Sequence, residues 1–428
     1  MFRSLRVPNY RLYASGQLVS LTGTWMQRVA QDWLVLELTN SGTALGIVTA
    51  LQFGPSLFLG LWGGILADRS DKRKLLLVTQ SALAIVALML GLLDVTGVVA
   101  YWHVLALATV LGVIAAIDTP VRQSFVVEMV GPDELANAVA INSTIFNSGR
   151  ILGPAVAGVM ISAVGTGWAF IANALSSVAV LTALIMMRPA ELFPSPPVAR
   201  AAGQLRDGFR YVRSRPHLLL SMVLIFVIGT FGLNFSITAA LMAKQVFHHG
   251  ASGYGLLSTA LAVGAVCGAV AATRRVNRPS ALFLLVAAAA FSAAEIVSGL
   301  MPSLALTAVA LVPTGLAMLT VTTAANASIQ LGVEPTMRGR VMSLYLICFM
   351  GGTPIGAPII GWLAGVAGPR WGLIAGGLVC LLSTAAIAAL LAWQRGLRPL
   401  DVAGLVSARI HPGQPDLDPV RLAGDPLP

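Results

Sequence analysis

Twelve long apolar stretches, nearly free of charge, leave this chain few ways to fold. They run roughly over 12–36, 44–66, 75–95, 102–121, 136–163, 167–187, 218–243, 254–273, 280–300, 303–328, 341–366 and 371–393. A helix that crosses a bilayer needs about 20 apolar residues, so twelve use about 240. The chain has 428 residues, of which 57% are hydrophobic and 10% charged. A soluble protein carries about 45–50% apolar and about 25% charged residues. A soluble enzyme, a disordered chain and a nucleic-acid binder are excluded on that ground. The runs also lack the alternation over about ten residues that marks a membrane barrel strand. The expected fold is an all-α membrane protein with twelve transmembrane helices, and lipid is its main surrounding.

The basic residues orient it. With the N-terminus in the cytoplasm, 23 of the 27 Lys and Arg residues fall on that side. Lys244 and Arg370 lie opposite, and Arg28 and Arg150 lie inside spans. Positive residues favour the cytoplasmic face, so both termini are expected there, in a multi-pass protein of the plasma (inner) membrane. Arg3, Arg6 and Arg11 resemble a signal-peptide n-region, but no cleavage site follows, and the first stretch reads as a retained span. Cys267, Cys348 and Cys380 sit in apolar stretches and make neither a disulfide framework nor a metal site.

An internal repeat divides the chain. At an offset of 203 residues Gly112 falls on Gly315, Thr119 on Thr322, Val130 on Val333 and Pro132 on Pro335. Gly149, Gly153, Gly158, Gly165 and Trp168 then fall on Gly352, Gly356, Gly361, Gly368 and Trp371. The offset covers six helices, an even number, so both copies face the same way. That predicts two six-helix bundles in a parallel pseudo-twofold repeat, one of the known transporter plans. The expected organisation is a first bundle over 1–187, a cytoplasmic linker over 188–217, a second bundle over 218–394 and a disordered tail over 395–428. The linker opens on Pro189, Pro194, Pro196 and Pro197, and continues with Leu205, Phe209 and Val212 at helical spacing. That amphipathic stretch reads equally as a helix on the inner leaflet or as a solvated linker.

Two motifs carry a resemblance. The loop after span two contains Gly64, Asp68, Arg69, Asp71 and Arg73. It resembles the loop signature of the major facilitator superfamily, with Asp71 where the family has a second Gly. Span five contains Gly149, Gly153, Pro154, Ala157 and Gly158, which resembles the same superfamily's antiporter signature. Gly16-Gln17, Trp25-Met26-Gln27, Asp118-Thr119-Pro120 and Arg338-Gly339-Arg340 narrow the resemblance to the branch of enterobactin exporters, macrolide efflux proteins and a lysophospholipid transporter. The resemblance implies that Gly64, Asp68, Arg69 and Arg73 form a cytoplasmic gate, with Arg69 and Arg73 facing Asp118 or Glu128. A positive-inside anchor without gating is the plainer reading. For span five it implies an exporter; close helix packing, with a kink at Pro154, is the alternative.

Ionisable residues inside a membrane are functional candidates by default. Arg28, Asp32, Arg150 and Glu295 qualify, with Asp118 near an interface. Gln17, Ser20, Thr24, Gln27, Arg28 and Gln31 form a polar stripe on span one, as on a helix lining a wet cavity. Asp32 is read as a proton carrier held by Arg28 and Arg150, with Asp118 as a second candidate and a static ion pair as the alternative. Burial favours a neutral carboxyl group and a nearby guanidinium favours a charged one, so moving the Arg would move the proton. Glu295 reads as a packing or interface residue. Cavity candidates are Gln27, Gln31, Asn234, Thr322 and Asn326. In the second half these polar groups suit large amphiphilic substrates with few formal charges.

No nucleotide-binding loop and no metal-ligand spacing is present, so no cofactor, metal or ATPase subunit is expected. The reading is a proton-coupled exporter of amphiphilic small molecules (drug, macrolide or siderophore) by alternating access, and not an enzyme. A lipid transporter without obligatory proton coupling is the alternative, and a receptor with a dead transporter fold a third reading.

Overall fold

The computed structural model describes residues 3–193, 204–273 and 279–394. Residues 1–384 form one unit; of the second, 385–428, the described residues are the last turns of the final helix. The tail expected over 395–428, and Pro194, Pro196 and Pro197, lie outside the described residues, as does the side chain of Leu205.

Small polar residues and prolines set where the helices start. Ser41, Asp71, Ser280 and Ser303 each accept a backbone N–H of the first turn, which satisfies a donor the helix itself cannot. Pro8, Pro216 and Pro335 open helices where no N–H is needed. Ten helices among the described residues are long and apolar enough to cross a membrane. One of them, Tyr101–Val164, holds 64 residues and is two spans. Gly131 breaks it at φ 69° and ψ 179°, just before Pro132. Span four is therefore 101–130 and span five 132–164. Span one, Pro8–Thr39, has 32 residues, long enough to cross as well; its polar stripe lowers its hydropathy. The count is the expected twelve.

The remaining spans are two (Gly42–Arg69), three (Lys72–Val95), six (Thr166–Met186), seven (Leu218–Val246) and eight (Ala251–Thr273). Nine to twelve are Ala281–Leu300, Leu304–Leu331, Pro335–Ala367 and Pro369–Gln394. Span seven is irregular: π-helical turns fill Ile228–Gly232 and Met242–Val246, and Leu233 and Asn234 leave helical geometry between them. The linker helix, Gln204–Arg213, docks on the start of span eleven. Arg215 pairs with Glu334 at 2.6 Å and Arg340 with Asp207 at 3.4 Å. Val212 is buried and Phe209 is exposed.

The sequence repeat reappears as repeated contacts. Gly112 sets span four against the Gln52 carbonyl of span two, and Gly315 sets span ten against the Leu261 carbonyl of span eight. Gly165 and Gly368, which end spans five and eleven, take φ of 94° and 103°, open to glycine and strained for other residues. Across the halves, Gly158 of span five meets Gly255 of span eight, and Gly361 of span eleven meets Gly42 of span two. Lipid tails are as apolar as the helices, so association rests on close contact, which small residues permit.

These cross-half contacts gather at one end of the bundle, which also holds Asn40; here it is the far end, and the start of span one marks the near end. Gly46 lies against the Ala357 carbonyl there. Lys244 donates to the Leu36 carbonyl at 2.5 Å, and Gln245 to the Asn40 carbonyl at 3.1 Å. A cation at the C-terminus of span one suits the helix dipole. Toward the near end the seam thins: Gly54 and Gly60 of span two have nothing within 4 Å of a built Cβ.

Candidate functional site

Span five brings the ionisable residues together. Gly149 rests on Leu21 and Thr22 of span one, and Gly153 on Trp25 and Met26. A larger residue at either position would push the two helices apart. The contact leaves Arg150 and Arg28 facing one cavity. Backbone dihedrals stay helical through Pro154, so the break in this stretch is at Gly131, not at the proline.

The cavity, of about 160 Å³, lies between spans one, two and five on one side and seven, eight and ten on the other. Trp25, Arg28, Asp32, Gln52, Phe53 and Arg150 line the first side. Phe235, Ser236, Tyr254, Leu257, Ser258, Leu261 and Leu311 line the second. Asp32 accepts a hydrogen bond from the Tyr254 hydroxyl at 2.7 Å. The Trp33 ring stacks on Tyr254 at 6.5 Å. The guanidinium of Arg28 lies over the Trp25 ring at 4.6 Å and the Phe53 ring at 5.6 Å.

The expected grip of Arg28 and Arg150 on Asp32 is not built as a direct ion pair; Arg28 acts on Asp32 through space. All three reach the cavity, but no ion pair joins them among the described residues. Helical side chains lean toward the N-terminus, which carries Arg28 onto Trp25, one turn back and away from Asp32. Tyr254 takes the place at the carboxylate that sequence reasoning gave to arginine. Its signal was present: a phenol between Gly253 and Gly255, one turn into an apolar span.

Gln27 lines a further space of about 120 Å³ beside Arg28 and Asp118, and hydrogen bonds hold it, Gln31, Asn234 and Thr322. Asn173 of span six donates to the Gln27 carbonyl oxygen, and Gln31 donates to Gln52 at 3.3 Å. Asn234 donates to the Thr230 carbonyl at 2.7 Å across the irregular part of span seven. Thr322 bonds back to the Met318 carbonyl at 3.0 Å. Asn234, Thr322 and Asn326 do not line the cavity that holds Arg28; Phe235 and Ser236 do. Glu295 is 2% exposed, which excludes it from any lipid-facing or interface surface. It lies beside Gly376 of span twelve.

The near-end cluster is built differently from its expected form. Gly63, one residue before Gly64, makes the close approach, against the Ala116 backbone of span four. Asp71, where the family pattern has glycine, caps span three by accepting Lys74 N–H at 3.1 Å. Its φ of −64° needs no glycine. Lys72, not Arg69 or Arg73, reaches Glu128, at 2.5 Å. Arg73 donates to the Leu184 and Ile185 carbonyls at 2.6 and 2.9 Å, capping span six. Arg69 is exposed, and Asp68 half-buried. Asp118 accepts from Thr79 and Gln80, both at 2.8 Å, and pairs with Arg122 at 3.1 Å. All these pairs lie within the first half.

The sequence profile of the transmembrane secretion effector family matches residues 1–418. The chain is 26% identical over 261 residues to the staphyloferrin A transporter of Staphylococcus aureus, covering 60% of this chain and 64% of that protein. It is 25% identical over 387 residues to the enterobactin exporter EntS of Citrobacter koseri, covering 88% of this chain and 91% of that one. The fold is similar to that of a bacterial homologue of the human lysosomal transporter Spinster. That likeness has TM-score 0.71 at 17% identity, over 89% of this chain and 96% of that one. It is also similar to the nucleoside transporter NupG, at TM-score 0.70, 11% identity, and 90% and 99% coverage.

Proposed function

We propose, from the premise that the chain belongs to the transmembrane secretion effector family of major facilitator transporters, that it exports amphiphilic small molecules by exchange for protons. The family is one of membrane transporters and not of enzymes. The observation that carries the reading is the Asp32–Tyr254 bond beside the cavity. It joins a buried ionisable group to a contact between the two halves. A proton on Asp32 would change that bond, and with it the balance between a closed and an open far end.

In this reading 1–187 and 218–394 move as two bodies joined by 188–217, and expose the cavity to each side in turn. Both termini are cytoplasmic, and the membrane is the plasma membrane. The cargo is a secreted amphiphile, as for relatives named an enterobactin exporter and a staphyloferrin A transporter.

The test is to delete the gene and compare compounds inside and outside the cells, then to follow the retained compound in everted vesicles. Uptake should collapse with a protonophore, and Asp32→Asn should abolish substrate-induced proton release. Uptake that persists without a proton gradient overturns the coupling. The apolar second wall, with Phe235, Leu257, Leu261 and Leu311, would then favour lipid transport.

A further inference from the structure

We propose that the cavity binds an organic oxyanion, with its acidic head between Arg28 and Arg150 and its apolar body against spans seven, eight and ten. The inference rests on the transporter reading above and adds the charge of the cargo.

The charge balance of the wall points to it. Two guanidinium groups line the cavity and one carboxyl group does, Asp32. Guanidinium stays protonated in proteins, so the lining is net positive whether or not Asp32 carries a proton. Asp32 is moreover engaged by Tyr254. Arg28 meets two ring faces and no acceptor, and Arg150 has no hydrogen bond, ion pair or ring contact among the described residues. Arg28 has only the through-space attraction of Asp32 and Arg150 has no counter-charge among the described residues; partly buried cations so placed are costly, and an incoming anion lowers that cost. The Arg28 guanidinium carbon lies over the Trp25 and Phe53 rings, and the N–H edge of the group has no acceptor among the described residues. That edge is a planar fork suited to two oxygens of one carboxylate or phosphate.

The approach has the same sign. A second space, of about 410 Å³, opens from Arg28 toward the near end. Arg122, Gln17, Gln123, Asn142 and Ser143 line it, and no Asp or Glu does. Arg122 itself is held by Asp118. Asp118 faces an adjoining space of about 120 Å³ beside Arg28 and Arg122, so a cationic amphiphile entering here would meet Arg122, Arg28 and Arg150 against Asp118, already paired with Arg122, and Asp32. The opposite wall of the cavity carries Phe235, Leu257, Leu261 and Leu311, with hydroxyls at Ser236 and Ser258. A hydrophilic polyanion would leave that wall unused, and a neutral hydrocarbon would leave the arginines bare.

Two sources share this chemistry: a free acid bound for secretion and the phosphate of a single-chain lipid. The test is calorimetric titration of the full chain in zwitterionic nanodiscs, with empty nanodiscs subtracted. The probes are 4-hexylbenzoate, 4-hexylbenzamide, 4-hexylbenzylammonium and lauroyl lysophosphatidate. One of the two anions should bind at least about tenfold tighter than the amide, as charge-assisted bonds predict, and the ammonium weakest. Whichever anion binds tighter names the source. Arg28→Gln and Arg150→Gln should erase the preference, and Arg28→Lys should keep part of it. Binding of neither anion tighter than the amide, or a preference for ammonium, overturns the proposal in the parent protein, with no variant needed. So does an anion preference that survives the double Gln variant. No gradient is present in this measurement. Anion binding without proton-driven transport would therefore sink the exporter reading alone, and transport of a cation would sink this inference alone.

Discussion

The Tyr254 hydroxyl of span eight donates to the Asp32 carboxylate of span one at 2.7 Å, joining the two halves of the repeat through one buried hydrogen bond. Both residues are under 10% exposed, so the bond is largely shielded from bulk water. Tyr254→Phe should therefore destabilise the protein by about 1–3 kcal/mol, the cost of a buried polar group left unsatisfied. In an Asp32→Asn background the same substitution should cost less. Thermal unfolding of the four proteins in one detergent closes the cycle, and equal costs in both backgrounds would dissolve the pair.

Lys72 and Glu128 form the most enclosed ion pair of the near end, with side chains 8% and 11% exposed. Lys72→Met removes the ammonium that pairs with this buried carboxylate and should cost up to about 3–5 kcal/mol. Removing both charges, in Lys72→Met with Glu128→Met, should recover most of that loss. Arg69→Ala, on an exposed residue, should shift the unfolding temperature little. A double variant as unstable as the single one would contradict this account.

Gly264 of span eight has no room for a side chain, because a Cβ there would coincide with the Val312 carbonyl of span ten. Gly264→Val should abolish monodisperse protein on size exclusion. Gly60→Ala, which meets nothing within 4 Å, should stay within about 1 kcal/mol of the parent. Similar elution of both variants would show that spans eight and ten do not meet through their backbones.

Glu295 places a carboxyl oxygen, Oε2, in the second half with no hydrogen-bond partner among the described residues. Glu295→Met fills similar space without a polar atom and should raise stability by about 1–3 kcal/mol. Glu295→Gln keeps the polar burden and should gain less. Chemical denaturation in mild detergent measures both, and a loss in the Met variant would mean that the carboxyl group is needed for packing.

The parts of this architecture legible in the sequence are those with a strong local cause. Long uncharged runs give the spans, and the offset that matches Pro132 to Pro335 and Gly165 to Gly368 gives the pseudo-twofold contacts that the glycines make. The packing of Gly149 and Gly153 on span one follows from small residues on one helix face. Partner choice was not legible, because it depends on side-chain direction across helices far apart in sequence. Arg28 shares a helix face with Asp32 but turns to Trp25. Lys72 rather than Arg73 reaches Glu128, since Arg73 is spent on the carbonyls at the end of span six. Gly229, Gly232 and Asn234 accompany the irregular turns at Ile228–Gly232, but in an apolar run such residues signal close packing or a polar lining as readily as a break.

The seam at Gly42, Gly46, Ala357 and Gly361 is largely main chain against main chain, with the Leu241 side chain beside Gly42, so few side chains need to change rotamer for it to part. Its cohesion is a sum of contacts worth about 0.1–0.2 kcal/mol each, fastened by Lys244, Gln245 and Tyr254. Such a joint peels rather than snaps. Each fastener released lowers the work of the next step, and the smooth faces can meet again in the same register.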